Sequence, residues 1–438
     1  MRTVFAAATL LATTAAQDSA CVDDGGNFYC QLVNAITYTS VGGNGTYNRV
    51  TSMDSTSGAC ASSPYDYSGS MTPLDEEISW HIRGPTILKQ FAAYTPGSAT
   101  VKKSRRSEHM RRHVQGSVTN HKHRAHRVEE RQVGATVTAT IDGIVQSWIN
   151  EYDGTPSEAT SIPEVDSPSG TEAPVSVSNG TDSSNATLVG NGWGRNAFYH
   201  ADNQTSEGLV FLNHFGGSGS GVFDYSFGNS LSYAGADGTC GAASPETLAC
   251  TTLPSSAEVV LMSDQQCEGD DCGYVRPGTV AHHGWDGARK AFFFEFQMPD
   301  TGETTDNIYD PVNMPAIWIL NAQIPRTLQY GNADCSCWGS GCGEFDMFEV
   351  LSPGSTKAKS TLHGNKAGGD SNYFDRPLDQ PIKVGMVMYD DNIHIKVLDD
   401  DAEFPSVMDE ETINEILGST MEASLLVSLF SLAESAAG

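Results

Sequence analysis

The sequence predicts an all-β protein built on an antiparallel sandwich, and three observations carry that expectation. From Gly192 to about Leu398, short apolar runs alternate with Gly, Asn and Asp turns, the pattern of one sandwich of roughly 200 residues. Within it, Val384–Tyr389 and Ile393–Leu398 flank Asp390-Asp391-Asn392 and read as a hairpin. A third segment, residues 21–100, is rich in Gly, Ser, Thr and Tyr and reads as a small, separate N-terminal β module.

In chain order, Arg2, the apolar run Val4–Ala12 and small residues to Ala16 form an expected secretory signal, residues 1–16. The N-terminal module contains strand-like pieces at Ile78–Ile82 and Ile87–Tyr94. Residues 101–132 hold ten of the 25 Lys and Arg, five histidines and only three acids, and are expected to be a basic linker with dibasic processing sites. Residues 133–149 carry enough Val, Ile and Thr for a short strand or helix, and 151–190 lack Lys and Arg and are dominated by Ser, Thr, Pro, Glu and Gly. Together 133–190 read as a second linker.

The sandwich is expected over 191–418, with strands at Gly208–Leu212, Val259–Met262, Ala291–Gln297, Ala316–Leu320 and Gly343–Leu351 before the hairpin. Residues 419–438 form a C-terminal tail whose apolar stretch ends in Glu434, which favours free secretion or wall association over a lipid anchor. No stretch reaches the roughly 18 apolar residues of a membrane span.

The formal net charge is -29, and outside the basic linker 15 Lys and Arg face 51 Asp and Glu. Such a surface repels phosphate backbones and anionic lipids, which excludes nucleic acid as the expected partner. Ten cysteines, all after the signal, suit disulfides in an oxidising compartment, with pairing open. The Cys335, Cys337, Cys342 cluster has a metal-site alternative, and Asp270-Asp271 a calcium one; secretion favours disulfides at the first and a solvated loop at the second. Sequons at Asn44, Asn179, Asn185 and Asn203 mark glycosylation sites. Oligomeric state is not legible.

Chemistry concentrates at Gly343-Glu-Phe-Asp-Met-Phe-Glu-Val-Leu351. Side chains alternate along a strand, so Glu344 and Asp346 share one face. Glu349 lies at an odd offset from Glu344 and joins that face only if one residue near Met347 or Phe348 is taken up as a β-bulge. Two carboxyls about 5–5.5 Å apart are what a retaining glycosidase uses. The competing reading is a solvated acidic strand face, disfavoured because three like charges on one face repel without purpose.

Trp318, in Met314-Pro-Ala-Ile-Trp-Ile-Leu320, reads as core or as a sugar platform. Trp338 lies in the cysteine-rich loop before Glu344 and His363 follows in Ser360-Thr-Leu-His-Gly364; both are candidates to line the same cleft, with a satisfied core histidine as the alternative for His363. His282 and His283, being adjacent, would face opposite sides of a strand and chelate poorly. The 321–342 connection is too long for a simple turn and reads as a functional rim.

At these residues the chain resembles two nested families. Glu344-Phe-Asp-Met-Phe-Glu349 is similar to the bulged Glu-x-Asp-x-x-Glu signature of glycoside hydrolase family 16, with Pro315-Ala-Ile-Trp318 and Leu362-His363 as further similar pieces. Cys335-Ser-Cys-Trp-Gly-Ser-Gly-Cys-Gly-Glu-Phe-Asp346 and Gly221-Val-Phe-Asp-Tyr-Ser-Phe-Gly228 resemble the fungal target-of-SBF cell-wall proteins, as do Gly25-Gly-Asn-Phe-Tyr-Cys30 and Ser79-Trp-His-Ile-Arg-Gly-Pro85. The resemblance implies a concanavalin-like jelly roll with a glucan cleft, in a secreted wall protein acting on β-1,3-glucan. By the family 16 pattern, Glu344 would be nucleophile, Asp346 its electrostatic assistant and Glu349 the acid/base, with no organic cofactor or metal needed. The hairpin around Met388–Lys396 lacks the Trp often found there in that family.

Overall fold

The computed structural model describes residues 21–24, 26–97, 136–141, 144–149, 192–306, 310–418 and 426–432. Alternation of apolar and polar side chains builds two large sheets, because each strand can bury only one face against a partner layer. The back sheet runs, in spatial order, Thr205–Glu207, Trp193–His200, Ile87–Pro96, Lys290–Gln297, Ile382–Tyr389, Asn392–Val397, Ala35–Thr39 and Val427–Ser431. The front sheet runs Gly241–Ala242, Ser232–Ala234, Leu209–Asn213, Glu258–Ser263, Ile78–Arg83, Ala316–Asn321, Glu344–Glu349, Lys357–His363 and Gly368–Gly369.

The inner faces meet in one continuous core. Trp80, Ile82, Ile317, Ile319, Phe345, Met347 and Phe348 from the front sheet lie in one cluster with Phe91, Phe292, Phe294, Met386 and Ile395 from the back. Trp80 touches Phe91 and Phe294 at centroid distances of 5.0 and 4.7 Å. Edge-to-face and tilted contacts of this kind add to area burial and fix the sheets in one alignment. The outer face of the back sheet is closed by the Glu410–Gly418 helix, whose Ile413 and Ile416 pack with Phe293, Val387 and Phe404.

The expected sandwich is present, and the strand candidates fall on strands, including the hairpin joined through Tyr389 and Asn392. The expected separate N-terminal module is not. Ile78–Arg83 sits between Glu258–Ser263 and Ala316–Asn321, and Ile87–Pro96 between Trp193–His200 and Lys290–Gln297, so residues before the linkers supply central strands of both sheets. The physical reason is burial: Ile78–Arg83 is buried at every position, which no small two-layer module could provide. The tail also differs from expectation, since Val427–Ser431 pairs in parallel with Ala35–Thr39 and Phe430 packs on Tyr38. Within the second linker, Thr136–Ile141 and Ile144–Ile149 form an antiparallel hairpin. The signal, the basic run and Asn179 and Asn185 lie outside the described residues; Asn44 and Asn203 are exposed.

Four disulfides join Cys21–Cys30, Cys60–Cys335, Cys267–Cys272 and Cys337–Cys342. The cysteine-rich loop is thus a disulfide site. Cys240 and Cys250 are free and exposed, so pairing accounts for eight of the ten cysteines. Asp271 belongs to a loop closed by Cys267–Cys272 and contacts His283, whose other ring nitrogen is 2.5 Å from Glu77.

Candidate active site

The bulge required by the sequence is present at Met347. Against the following strand, Glu344, Asp346 and Glu349 stand opposite His363, Thr361 and Lys359, so between the last two pairs Met347 and Phe348 face Ser360 alone. Against the preceding strand, Trp318 pairs with Asp346 and Ile317 with Phe348, which leaves Met347 as the extra residue. Met347 and Phe348 are consecutive and both fully buried in the core, and all three acids are thereby turned to the outer face.

Around Glu344 the donors are fixed. Trp338 Nε1 donates to Glu344 Oε2, Glu344 and Asp346 hydrogen-bond each other, and His363 Nε2 lies 3.0 Å from Asp346 Oδ2. Burial, then the charge of Asp346, pushes the Glu344 carboxyl well above the usual carboxylate range, with the His363 charge and the Trp338 hydrogen bond opposing. Asp346, 5% exposed, is pushed up to about 7 by burial, with Arg83 and the Glu344 hydrogen bond opposing. Two such carboxyls in contact cannot both ionise cheaply, so near neutrality the pair carries a shared proton.

Glu349 is set apart by its surroundings. Its side chain is 24% exposed, and Arg83 Nη2 stands 3.8 Å from Oε1. Arg83 is itself anchored, its Nε donating to Met314 O at 3.0 Å and its guanidinium lying over Trp318.

Trp338 and His363 flank the acids as expected, ring to ring at 6.5 Å and both half-buried. Trp318 lies on the same face but is only 4% exposed, stacked on His81 at 5.1 Å, so it forms the floor and offers little open ring.

Sequence reasoning passed over several groups on this face. His81 Nδ1 is 2.9 Å from Glu258, which also accepts from Gln329 and Tyr330 of the rim loop at 2.8 and 2.6 Å. This ties the rim to the sheet. The signal was available in the alternation Ser79-x-His81-x-Arg83, a polar row on a strand whose other row is Trp80 and Ile82. The long Gly43–Asp54 and Ala59–Gly69 hairpin was likewise missed as part of the cleft. Its Tyr47, Tyr65 and Tyr67 pack against the Trp318 and Trp338 cluster, Asn365 donates to Tyr67 OH at 2.8 Å, and Cys60–Cys335 bolts it to the rim loop.

Fold and site together define a two-sheet β-sandwich protein that presents a bulged strand of three carboxyl groups on its front sheet. The chain belongs to the YJL171C/Tos1 family of cell wall proteins, matching the C-terminal family description over residues 191–416 and the N-terminal one over 34–96. Among its relatives is a Candida albicans protein named probable circularly permuted 1,3-beta-glucanase TOS1, 39% identical over 94% of this chain and 97% of its own. An Arthroderma benhamiae protein named probable circularly permuted 1,3-beta-glucanase is 41% identical over 95% and 97%. The Saccharomyces cerevisiae TOS1 protein of the same printed name is 37% identical over 93% and 94%. No solved structure matches the chain.

Proposed function

We propose that this protein is a secreted β-1,3-glucan hydrolase of the fungal cell wall, acting within chains by double displacement with retention. The observation that carries this reading is the Met347 bulge, which turns Glu344, Asp346 and Glu349 to one face. Relatives covering nearly the whole chain bear the glucanase name, and the insertion of N-terminal strands among C-terminal ones is what a circular permutation would leave.

Glu344 is the nucleophile. The Trp338 N–H favours negative charge on it, so that with the shared proton on Asp346 Glu344 is able to attack the anomeric carbon. Glu349 protonates the departing oxygen, then takes a proton from the water that releases the sugar from Glu344. Trp338 and His363 line the sugar site beside Glu344.

Product analysis on linear β-1,3-glucan, with chitin and mixed-linkage glucan as controls, tests this reading. New reducing ends from the β-1,3 chain are expected. Longer chains would instead make the protein a transglycosylase using the same residues, and no products would leave a glucan-binding wall protein. Proton NMR of the first product should show the β-anomer; an initial α-anomer would mean direct attack by water and remove the nucleophile role from Glu344.

A further inference from the structure

Glu349, the acid/base of the reading above, has as neighbours a cation held by the backbone and a buried hydroxyl with no hydrogen-bond partner among the described residues. Lys359 is the register partner of Glu349 across the strand pair. Its ammonium donates to Phe28 O at 2.9 Å and lies 5.4 Å from the centre of the Tyr29 ring. Lys357 approaches the same ring at 4.9 Å, and Tyr373 closes it edge-on at 5.8 Å. Tyr29 is 1% exposed, and among the described residues its hydroxyl has no hydrogen-bond partner. A buried donor left unsatisfied costs stability, so its persistence asks for a use.

The segment carrying Tyr29 is held rigidly. Val22–Asp24 and Asn27–Tyr29 pair as a hairpin closed by Cys21–Cys30. Cys30 N donates to Ser371 O and Val33 N to Tyr373 O, each at 2.9 Å, docking the chain beside the Glu349 end of the acidic strand. Burial, then the charges of Asp24 and Glu349, hold the phenol protonated far above neutral pH, so it serves only as a donor. The groups bearing on Glu349 are Arg83 from two strands away in the same sheet, Lys359 across the ladder, Tyr29 from the N-terminal hairpin, and Glu344 on its own strand.

We propose that Tyr29 is a positioning residue for Glu349, its hydroxyl donating to the carboxylate that remains once Glu349 has given up its proton. In that step the Glu349 proton passes to the glycosidic oxygen as the C–O bond breaks and Glu344 bonds to the anomeric carbon. Tyr29 transfers no proton. It steadies the anion until water restores the acid. The inference rests on the acid/base role proposed for Glu349 and deepens it.

Tyr29→Phe tests it, because at pH 4, with Glu349 protonated, the variant removes an unpartnered hydroxyl and should leave the melting temperature equal or higher. On linear β-1,3-glucan, kcat should fall roughly ten- to a hundredfold with KM little changed, the loss typical of a hydrogen bond to a charged group. The alkaline limb of kcat/KM should move up by about one pH unit, a displacement that a purely structural role would not cause. In the Glu349→Gln background Tyr29→Phe should cost nothing further. Unchanged kcat and pH profile beside an inactive Glu349→Gln would overturn the inference alone, whereas a fully active Glu349→Gln would overturn the acid/base reading itself. A readout without turnover completes the test: thermal unfolding of both single variants and the double should give a coupling at pH 8 that vanishes at pH 4. Additivity at both pH values would also overturn the proposal.

Discussion

Asp346 is buried and Glu344 half-buried, both carboxyls are raised and in contact, and the consequence is a measurable cost. A carboxyl whose folded pKa lies above its unfolded one contributes stability that is complete below about pH 4 and is lost as pH rises through its folded value, about 7 for Asp346. The protein should therefore be most stable at mildly acidic pH. Asp346→Asn should flatten that dependence and raise stability at pH 8 by on the order of 1–4 kcal/mol, read by thermal unfolding across pH. Activity moves the other way, because attack needs an anionic Glu344. Trp338→Phe and His363→Gln each remove a group that holds the Glu344 carboxyl down, so each should shift the acid limb of kcat/KM to higher pH. A shift to lower pH in either would contradict the geometry. Trp338→Phe should also cost roughly ten- to a hundredfold in rate, since the lost indole bond is to a charged group.

At the scale of elements, the acidic strand depends on its extra residue. Deleting Met347 would restore ordinary alternation with Glu344, Asp346 and Glu349 still on one face, but it removes a fully buried side chain and the local bend that aims Glu349, so turnover of linear β-1,3-glucan should fall sharply. Phe348→Ala, which leaves the register alone, should instead give a folded protein about 3–5 kcal/mol less stable in chemical denaturation. The bulge was legible because Glu344, Asp346 and Glu349 can share a face in no other way. Strand positions were legible too, since apolar runs of strand length admit few alternatives. What the sequence did not disclose was partnership. Nothing in Ile78–Arg83 names its neighbours as Glu258–Ser263 and Ala316–Asn321, and pairing of Cys60 with Cys335 across 275 residues has no local signal. The Trp318 ring illustrates the same limit, since only packing by His81 and Arg83 decides that it is floor.

For the whole molecule, the interleaved sheets make the two halves of the chain one folding unit. Residues 191–438 expressed alone would lack the central strands of both sheets and should be insoluble or molten. Limited proteolysis at the dibasic pairs between Lys102 and Arg112 should behave differently: the cut protein should keep its melting temperature and activity, because strands from both pieces remain paired. Non-reducing electrophoresis should show one band and reducing electrophoresis two, since Cys60–Cys335 spans the cut. Separation into two species without reductant would contradict the topology.

The same interleaving sets a timetable for synthesis. Ile87–Pro96 leaves the ribosome long before its sheet neighbour Lys290–Gln297, and the back sheet is incomplete until Val427–Ser431 follows. At about 5–20 residues per second, the first strands wait on the order of 15 s to a minute with apolar faces and ladder edges open. Folding must be largely post-translational, and the chaperone demand of this chain falls on its earliest residues.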